Sequence, residues 1–220
     1  MSSVRGLSMD SPFVDLVGDP PIAALLAYMH ESWLAYAELY KSAAPPFQKR
    51  KEPELTQALA AHLRQRQDAG EQPFIGDFFG ELADYVLDKS TGLPKCISRT
   101  DIEWRLHGVA GLIVEFKVLD GKKGRRDKYF VDGVMRFVVG RYASKATVGA
   151  MFALLRKGAE KDPKLILAAL EANGAGLQCA GIKKSSDILP TIAAFDSAHQ
   201  RNVPHITPFQ LAHLFVPLPA

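Results

Sequence analysis

Ser98-Arg99-Thr100-Asp101-Ile102-Glu103-Trp104, a turn, then Leu112-Ile113-Val114-Glu115-Phe116-Lys117-Val118-Leu119 are the stretches that decide how this chain is read. The second run alternates with the period of a strand, so Leu112, Val114, Phe116 and Val118 face one side. Ile113, Glu115, Lys117 and Leu119 face the other. Both faces are mostly apolar, which marks an interior strand and sets Glu115 and Lys117 side by side on a surface that is not simply solvent. The segments Cys96–Leu106 and Gly111–Leu119 read as paired strands joined by a tight connection at His107-Gly108. That pairing brings Asp101 across to the Glu115–Lys117 pair, with Glu103, on the face of Asp101, in reserve.

Two carboxylates and a lysine so placed suit phosphodiester hydrolysis. Mg²⁺ takes hard oxygen ligands and keeps several waters, so one or two carboxylates suffice to hold it. The lysine then positions a water or contacts the phosphate, or acts as a base if its apolar neighbours lower its pKa. The simpler alternative is a half-exposed hairpin with a cross-strand Glu–Lys pair. The apolar character of both faces weighs against it.

Asp101 followed by Glu115-Phe116-Lys117 resembles the active-site motif of the PD-(D/E)XK nuclease superfamily. The proline of that motif is absent, Thr100 standing before Asp101. The resemblance spans about residues 50–155, over which the order helix–strand–strand–strand–helix–strand can be traced. It implies an α/β, restriction-endonuclease-like fold, a central mixed β-sheet flanked by helices, here with an extra N-terminal helix. It further implies Mg²⁺ or Mn²⁺ held by Asp101, Glu115 and the Phe116 backbone carbonyl, with Lys117 as a catalytic group. An acidic residue on an earlier helix often joins such sites; Glu54 matches by position, with Glu81 the competitor. The expected activity is metal-dependent hydrolysis of nucleic acid, most simply DNA, in a setting such as restriction, phage defence or a mobile element. The alternatives are a catalytically silent nucleic-acid-binding subunit of the same fold and a structural interaction subunit using the Trp33/Tyr36/Tyr40 helix.

Around this centre the chain reads as an irregular arm or cap over residues 1–20 and one domain over 21–220. Helices are expected over Ile22–Ser42, with Leu25, Met29, Trp33, Tyr36 and Tyr40 at helical spacing, and over Pro53–Gln67, with Leu55, Leu59 and Leu63 as its stripe. Pro21 suits the first turn of the earlier helix. Phe74–Leu87, with Phe78, Phe79, Leu82, Tyr85 and Val86, could suit a helix turn leading into a strand and shows no clear boundary. A helix follows over Arg126–Val139 with Phe130, Val134 and Phe137 inward, then a strand over Val148–Leu155. Pro163–Ala172 forms another helix, stopped by Asn173-Gly174. The last strand runs from Pro208 to Val216.

The net charge of +3 is unevenly spread. Residues 1–110 carry 11 basic and 15 acidic side chains, and residues 111–220 carry 16 and 9. The basic excess lies just after the proposed site, where a polyanion would meet it. Lys122, Arg125 and Arg126 can track a nucleic-acid backbone or form a solvated loop. Tyr129, Gly133 and Arg136 share a helix face and can meet a phosphate. Equally, Asp132–Arg136 can be a surface pair, with Gly133 relieving a crowded contact.

Other chemistries find no pattern. There is no HExxH, GxSxG or GxxxxGK motif. Cys96 and Cys179 are the two cysteines, far apart and in no CxxC arrangement, which fits a reducing compartment and a cytoplasmic setting. No apolar run is long enough to cross a bilayer, and the first residues lack a basic-then-apolar signal. A homodimer or a place in a larger complex is compatible with all of this.

Overall fold

The computed structural model describes residues 22–81, 83–87, 94–106, 109–142, 146–172, 176–201 and 207–219. The expected arm over residues 1–20, Pro21, the turn at His107-Gly108 and the helix stop at Asn173-Gly174 lie outside the described residues.

A seven-stranded mixed sheet forms the centre. Its strands are β1 (Asp77–Gly80), β4 (Ile102–Leu106), β5 (Val109–Leu119), β6 (Val148–Leu155), β7 (Cys179–Lys183), β8 (Phe195–Arg201) and β9 (Thr207–Pro217), in the order β1-β4-β5-β6-β9-β8-β7. The interior strands β5, β6 and β9 run parallel, while β1, β4, β8 and β7 add antiparallel margins. A separate two-stranded hairpin, β2 (Ala83–Leu87) with β3 (Pro94–Arg99), interrupts the path from β1 to β4.

Alternation along β5 splits the core into two layers. Leu112, Val114, Phe116 and Val118 pack with Leu25, Met29 and Trp33 of α1 (Ile22–Leu39) and Leu55, Leu59 and Leu63 of α2 (Glu52–Asp68). Ile113 and Leu119 pack on the other face with Tyr129 of α3 (Lys123–Tyr129), Phe137 of α4 (Met135–Val138) and Ile166 of α5 (Asp162–Ala172). The sheet is therefore covered by helices on both sides, and β6, buried over its central six residues, reads as an unbroken apolar run for that reason. Trp33 and Tyr36 are core residues and offer no aromatic contact surface, although Tyr40 is exposed.

Three expected elements differ. The strand expected over Cys96–Leu106 breaks at Thr100-Asp101, because β3 pairs with β2 while β4 joins the main sheet. Phe74–Leu87 holds two short strands and, among its described residues, no helical turn. The helix expected over Arg126–Val139 begins at Lys123 and carries a π turn over Phe130–Val134 between α3 and α4, an irregularity often found at functional sites.

The loop from β5 into α3 is tied to α5. Asp162, buried, accepts from the Gly121 amide at 3.0 Å and from Arg126 Nη1 at 2.6 Å. Gly121 has φ +81°, and a Cβ there would lie 2.6 Å from the Gly158 carbonyl oxygen, a backbone atom that cannot swing aside. Gly121→Ala is expected to lower stability by about 2 kcal/mol, from left-handed strain plus that clash, read as a reduced denaturant midpoint with an unchanged slope.

A buried polar chain fastens the end of α3 to the sheet. Tyr129 Oη lies 2.6 Å from His213 Nδ1, and His213 Nε2 lies 2.7 Å from Ser197 Oγ. Ser197 Oγ is 2.7 Å from His199 Nε2, and His199 Nδ1 is 2.9 Å from the Leu177 carbonyl. A carbonyl only accepts, so with both imidazoles neutral it fixes every proton. His199 Nδ1 donates to Leu177, Ser197 donates to His199, His213 Nε2 donates to Ser197, and Tyr129 donates to His213. Burial holds both histidine pKa values below the ordinary value, most strongly for His213, which the neighbouring His199 lowers further.

A candidate active site at the end of β5

The register of β4 on β5 creates the site. β4 begins at Ile102, which faces Val114, so the rest of β5 outruns its neighbour on that edge. The Phe116 and Val118 amides would be left unpaired there, an arrangement that buried backbone does not tolerate. Carboxylates take both places: Asp101 Oδ2 accepts from Phe116 N at 2.7 Å and Glu52 Oε2 accepts from Val118 N at 2.8 Å. Glu81, with φ +50°, donates its amide to the Asp101 carbonyl at 2.8 Å and fixes the bend that turns Asp101 toward β5.

Glu115 and Lys117 share a face as their spacing requires, and both are buried. Lys117 Nζ donates to Glu115 Oε1 at 2.6 Å and to the Phe116 carbonyl at 2.8 Å, with Glu52 Oε1 at 3.4 Å. Arg136 Nη1 reaches the same Glu115 oxygen at 3.3 Å and also donates to Tyr142 Oη. Glu115 Oε2 is buried with no hydrogen-bond partner.

Electrostatics follow from this crowding. Desolvation, then the Asp101 charge, pushes the Glu115 carboxyl up to about 7 against the pull of Lys117 and Arg136. Asp101 is also raised, chiefly by desolvation. For Lys117, desolvation alone would lower the pKa, but Glu115, Glu52 and Asp101 together leave it raised. The lowered lysine pKa considered from sequence is therefore not found. Beside these three carboxylates Lys117 is held as an ammonium, a charge and a donor.

These groups line an open cleft of ≈ 220 Å³. Its floor is Asp101, Glu115, Lys117 and Glu52, and its opposite wall is the α3–α4 segment, which contributes Arg125, Lys128, Asp132 and Arg136. Gly133 lets that wall approach: a Cβ there would sit 2.5 Å from Met151 Cε and 3.8 Å from the Lys117 stem. It relieves a packing contact, and a phosphate does not reach it.

Of the side chains singled out from sequence, Asp101, Glu115, Lys117, Arg125 and Arg136 come together, with the Phe116 carbonyl 2.8 Å from Lys117 Nζ. The others lie elsewhere. The helical carboxylate in the cleft is Glu52 and not Glu54, whose Oε2 accepts from Lys51 N at 2.6 Å and caps the start of α2. Glu81 serves through its backbone and does not line the cleft. Glu103 is buried in an ion pair with Arg105. Tyr129 is fully buried against His213, so it does not meet a nucleic acid. Arg126 is taken by Asp162, and Lys122 is exposed near Asp120 and outside the cleft. Lys128 is not among the residues singled out from sequence, and Asp132 figures there only as a surface partner of Arg136, whose acidic partner within 4 Å is Glu115. Yet Arg125, Lys128, Asp132 and Arg136 recur at the three- and four-residue spacing of one helix face.

Asp101 and Glu115 suit a hard divalent cation: both are oxygen donors on the cleft floor, and Glu115 Oε2 lacks a partner. Among the described residues no three His, Cys, Asp or Glu side chains form a ready-made cage, but Mg²⁺ is commonly held by one or two carboxylates. The Phe116 carbonyl accepts from Lys117 Nζ.

The class defined so far is an α/β protein with an acidic–basic cleft at the end of an interior strand, and no helix of the described residues is long and apolar enough to cross a membrane. No family model, curated protein or solved structure matches the chain.

Proposed function

We propose that the chain is a divalent-metal-dependent nuclease, hydrolysing phosphodiester bonds in DNA at the Asp101–Glu115–Lys117 cleft. The observation that carries the proposal is the buried, unpartnered Glu115 Oε2 beside Asp101, with a protonated Lys117 fixed on the same carboxylate. The resemblance of Asp101 and Glu115-Phe116-Lys117 to the PD-(D/E)XK motif supports the same reading. Asp101 and Glu115 would hold Mg²⁺ or Mn²⁺, which when bound supplies charge neutralisation at the phosphate and activation of water.

The chain's own groups have separable roles. Glu52 and Asp101 hold the strand amides and so fix the cleft floor. Lys117, an ammonium among three carboxylates, donates hydrogen bonds toward the reacting phosphate or water and stabilises developing negative charge. Arg125 and Lys128 on the facing wall supply sequence-independent phosphate contacts.

Supercoiled plasmid incubated with Mg²⁺, Mn²⁺ or chelator tests this. Nicking is expected with either metal and not with chelator, and a Lys117→Met variant of unchanged melting temperature is expected to lose it. Equal cleavage by Lys117→Met would remove the proposal. No cleavage from wild type, with retained plasmid binding, would favour a silent binding subunit.

A further inference from the structure

Arg136 has a partner that the proposed chemistry would take from it. Its only acidic contact within 4 Å among the described residues is Glu115, and the other group that Nη1 meets is the Tyr142 hydroxyl. Lys117 is placed differently: without Glu115 it keeps the Phe116 carbonyl at 2.8 Å and Glu52 at 3.4 Å. Arg136 is also about one-third exposed, at 34% for its side chain, on the wall facing the floor, while Glu115 is sealed at 0%.

The charge of the cleft points the same way. Four carboxylates and four cations line it, so it is formally neutral as it stands. A phosphodiester gains little from a neutral cleft, because Lys117 and Arg136 already share Glu115 and Arg125 lies 3.9 Å from Asp120. A dication on Asp101 and Glu115 leaves an excess of two positive charges and frees the guanidinium whose partner has been taken. Arginine presents planar, forked donors that match a phosphate, and Tyr142 holds the head at the cleft while it changes partners.

We propose that Arg136 is a partner-switching phosphate ligand, which neutralises Glu115 in the metal-free protein and turns to a substrate phosphodiester when a divalent cation occupies Glu115. This rests on the metal-dependent reading above and adds a consequence to it. Metal and nucleic acid bind with positive coupling, and Arg136 carries the coupling. Coupling of this kind is reciprocal, so duplex also tightens the metal.

The test separates the switch from the reading beneath it. Anisotropy of a short labelled duplex is measured with chelator and with Ca²⁺, the duplex being checked for integrity on a gel. Mn²⁺ binding without DNA is followed by calorimetry. Wild type is expected to bind duplex roughly tenfold more tightly with Ca²⁺, the worth of one charge-assisted contact. Arg136→Gln is expected to match wild type in chelator within about twofold, to lose most of the Ca²⁺ gain and, with the competing guanidinium gone from Glu115, to bind Mn²⁺ at least as tightly as wild type. Arg136→Lys is expected to restore part of the gain, and its unchanged melting temperature guards against a folding defect. A loss of duplex affinity that is equal with and without Ca²⁺, or a gain that survives Arg136→Gln, overturns the switch. So does wild type that binds Mn²⁺ and shows no Ca²⁺ gain, though the metal site then stands. Wild type that binds no Mn²⁺ at all removes the metal-dependent reading and the switch together.

Discussion

A Glu115→Gln variant is expected to lose divalent-cation affinity by roughly a hundredfold or more, since even groups supporting a metal ligand are worth ten- to a hundredfold and Glu115 is a ligand. The fold is expected to survive. Glutamine keeps an acceptor for Lys117 in place of Glu115 Oε1 and removes a charge that burial already disfavours, as the pKa of about 7 shows. The folded carboxyl titrates at about 7 and the unfolded one near 4.5, so the cost of the charge is absent below 4.5, grows between the two values and is complete above 7. At pH 8 the variant should therefore melt no lower than wild type while calorimetry with Mn²⁺ gives no saturable heat. The same titration makes metal binding by wild type strengthen as pH rises to about 7 and level off beyond it.

Ser197→Ala should be the most damaging single change to stability in the far layer. Ser197 Oγ accepts from His213 Nε2 and donates to His199 Nε2, so its removal leaves a buried donor and a buried acceptor unpaired together. Each such group costs about 1–3 kcal/mol, giving about 2–6 kcal/mol for the pair, read from denaturant unfolding. The chain also makes the protein acid-sensitive. The His213 and His199 pKa values lie below 6.5 in the fold and return to about 6.5 on unfolding. Stability from these groups is thus complete above 6.5 and is lost progressively as pH falls below it, because the unfolded state takes up protons first. This loss runs against the stability that Glu115 regains as pH falls below about 7. It is therefore read as a change in the slope of melting temperature against pH between wild type and a variant. Replacing His213 and His199 together with phenylalanine should lower that slope, and an unaltered slope would show that other groups set it.

The part of this site that sequence made legible is the part governed by strand periodicity. Two residues apart in an apolar run, Glu115 and Lys117 had to share a face, and they touch at 2.6 Å. Asp101 was legible as a neighbour but not as the residue where one strand stops, since nothing in Cys96–Leu106 marks where pairing passes from β2 to β5. Glu52 and Glu54 are both acids in the first turn of α2, and periodicity does not rank them. A capping reading does: an acid at the third helical position reaches back to the preceding amide, as Glu54 does, which leaves Glu52 for the cleft. Tyr129 follows Lys128 by one residue and lies fully buried, a distinction set by the sheet beneath α3 and not by the local pattern. β7 escaped notice because Cys179-Ala180-Gly181-Ile182-Lys183 is a mostly exposed margin with little apolar alternation. The seven-stranded mixed sheet between helices agrees with the α/β class read from sequence.

The most direct measurement is single-turnover cleavage of an end-labelled duplex across a range of Mn²⁺ concentrations, by wild type and by Glu115→Gln. The wild-type rate is expected to saturate at the Mn²⁺ concentration that fills the calorimetric site in the presence of the same duplex, with no cleavage by the variant. Cleavage that persists in chelator, or that Glu115→Gln supports at the wild-type rate, would contradict the proposed function.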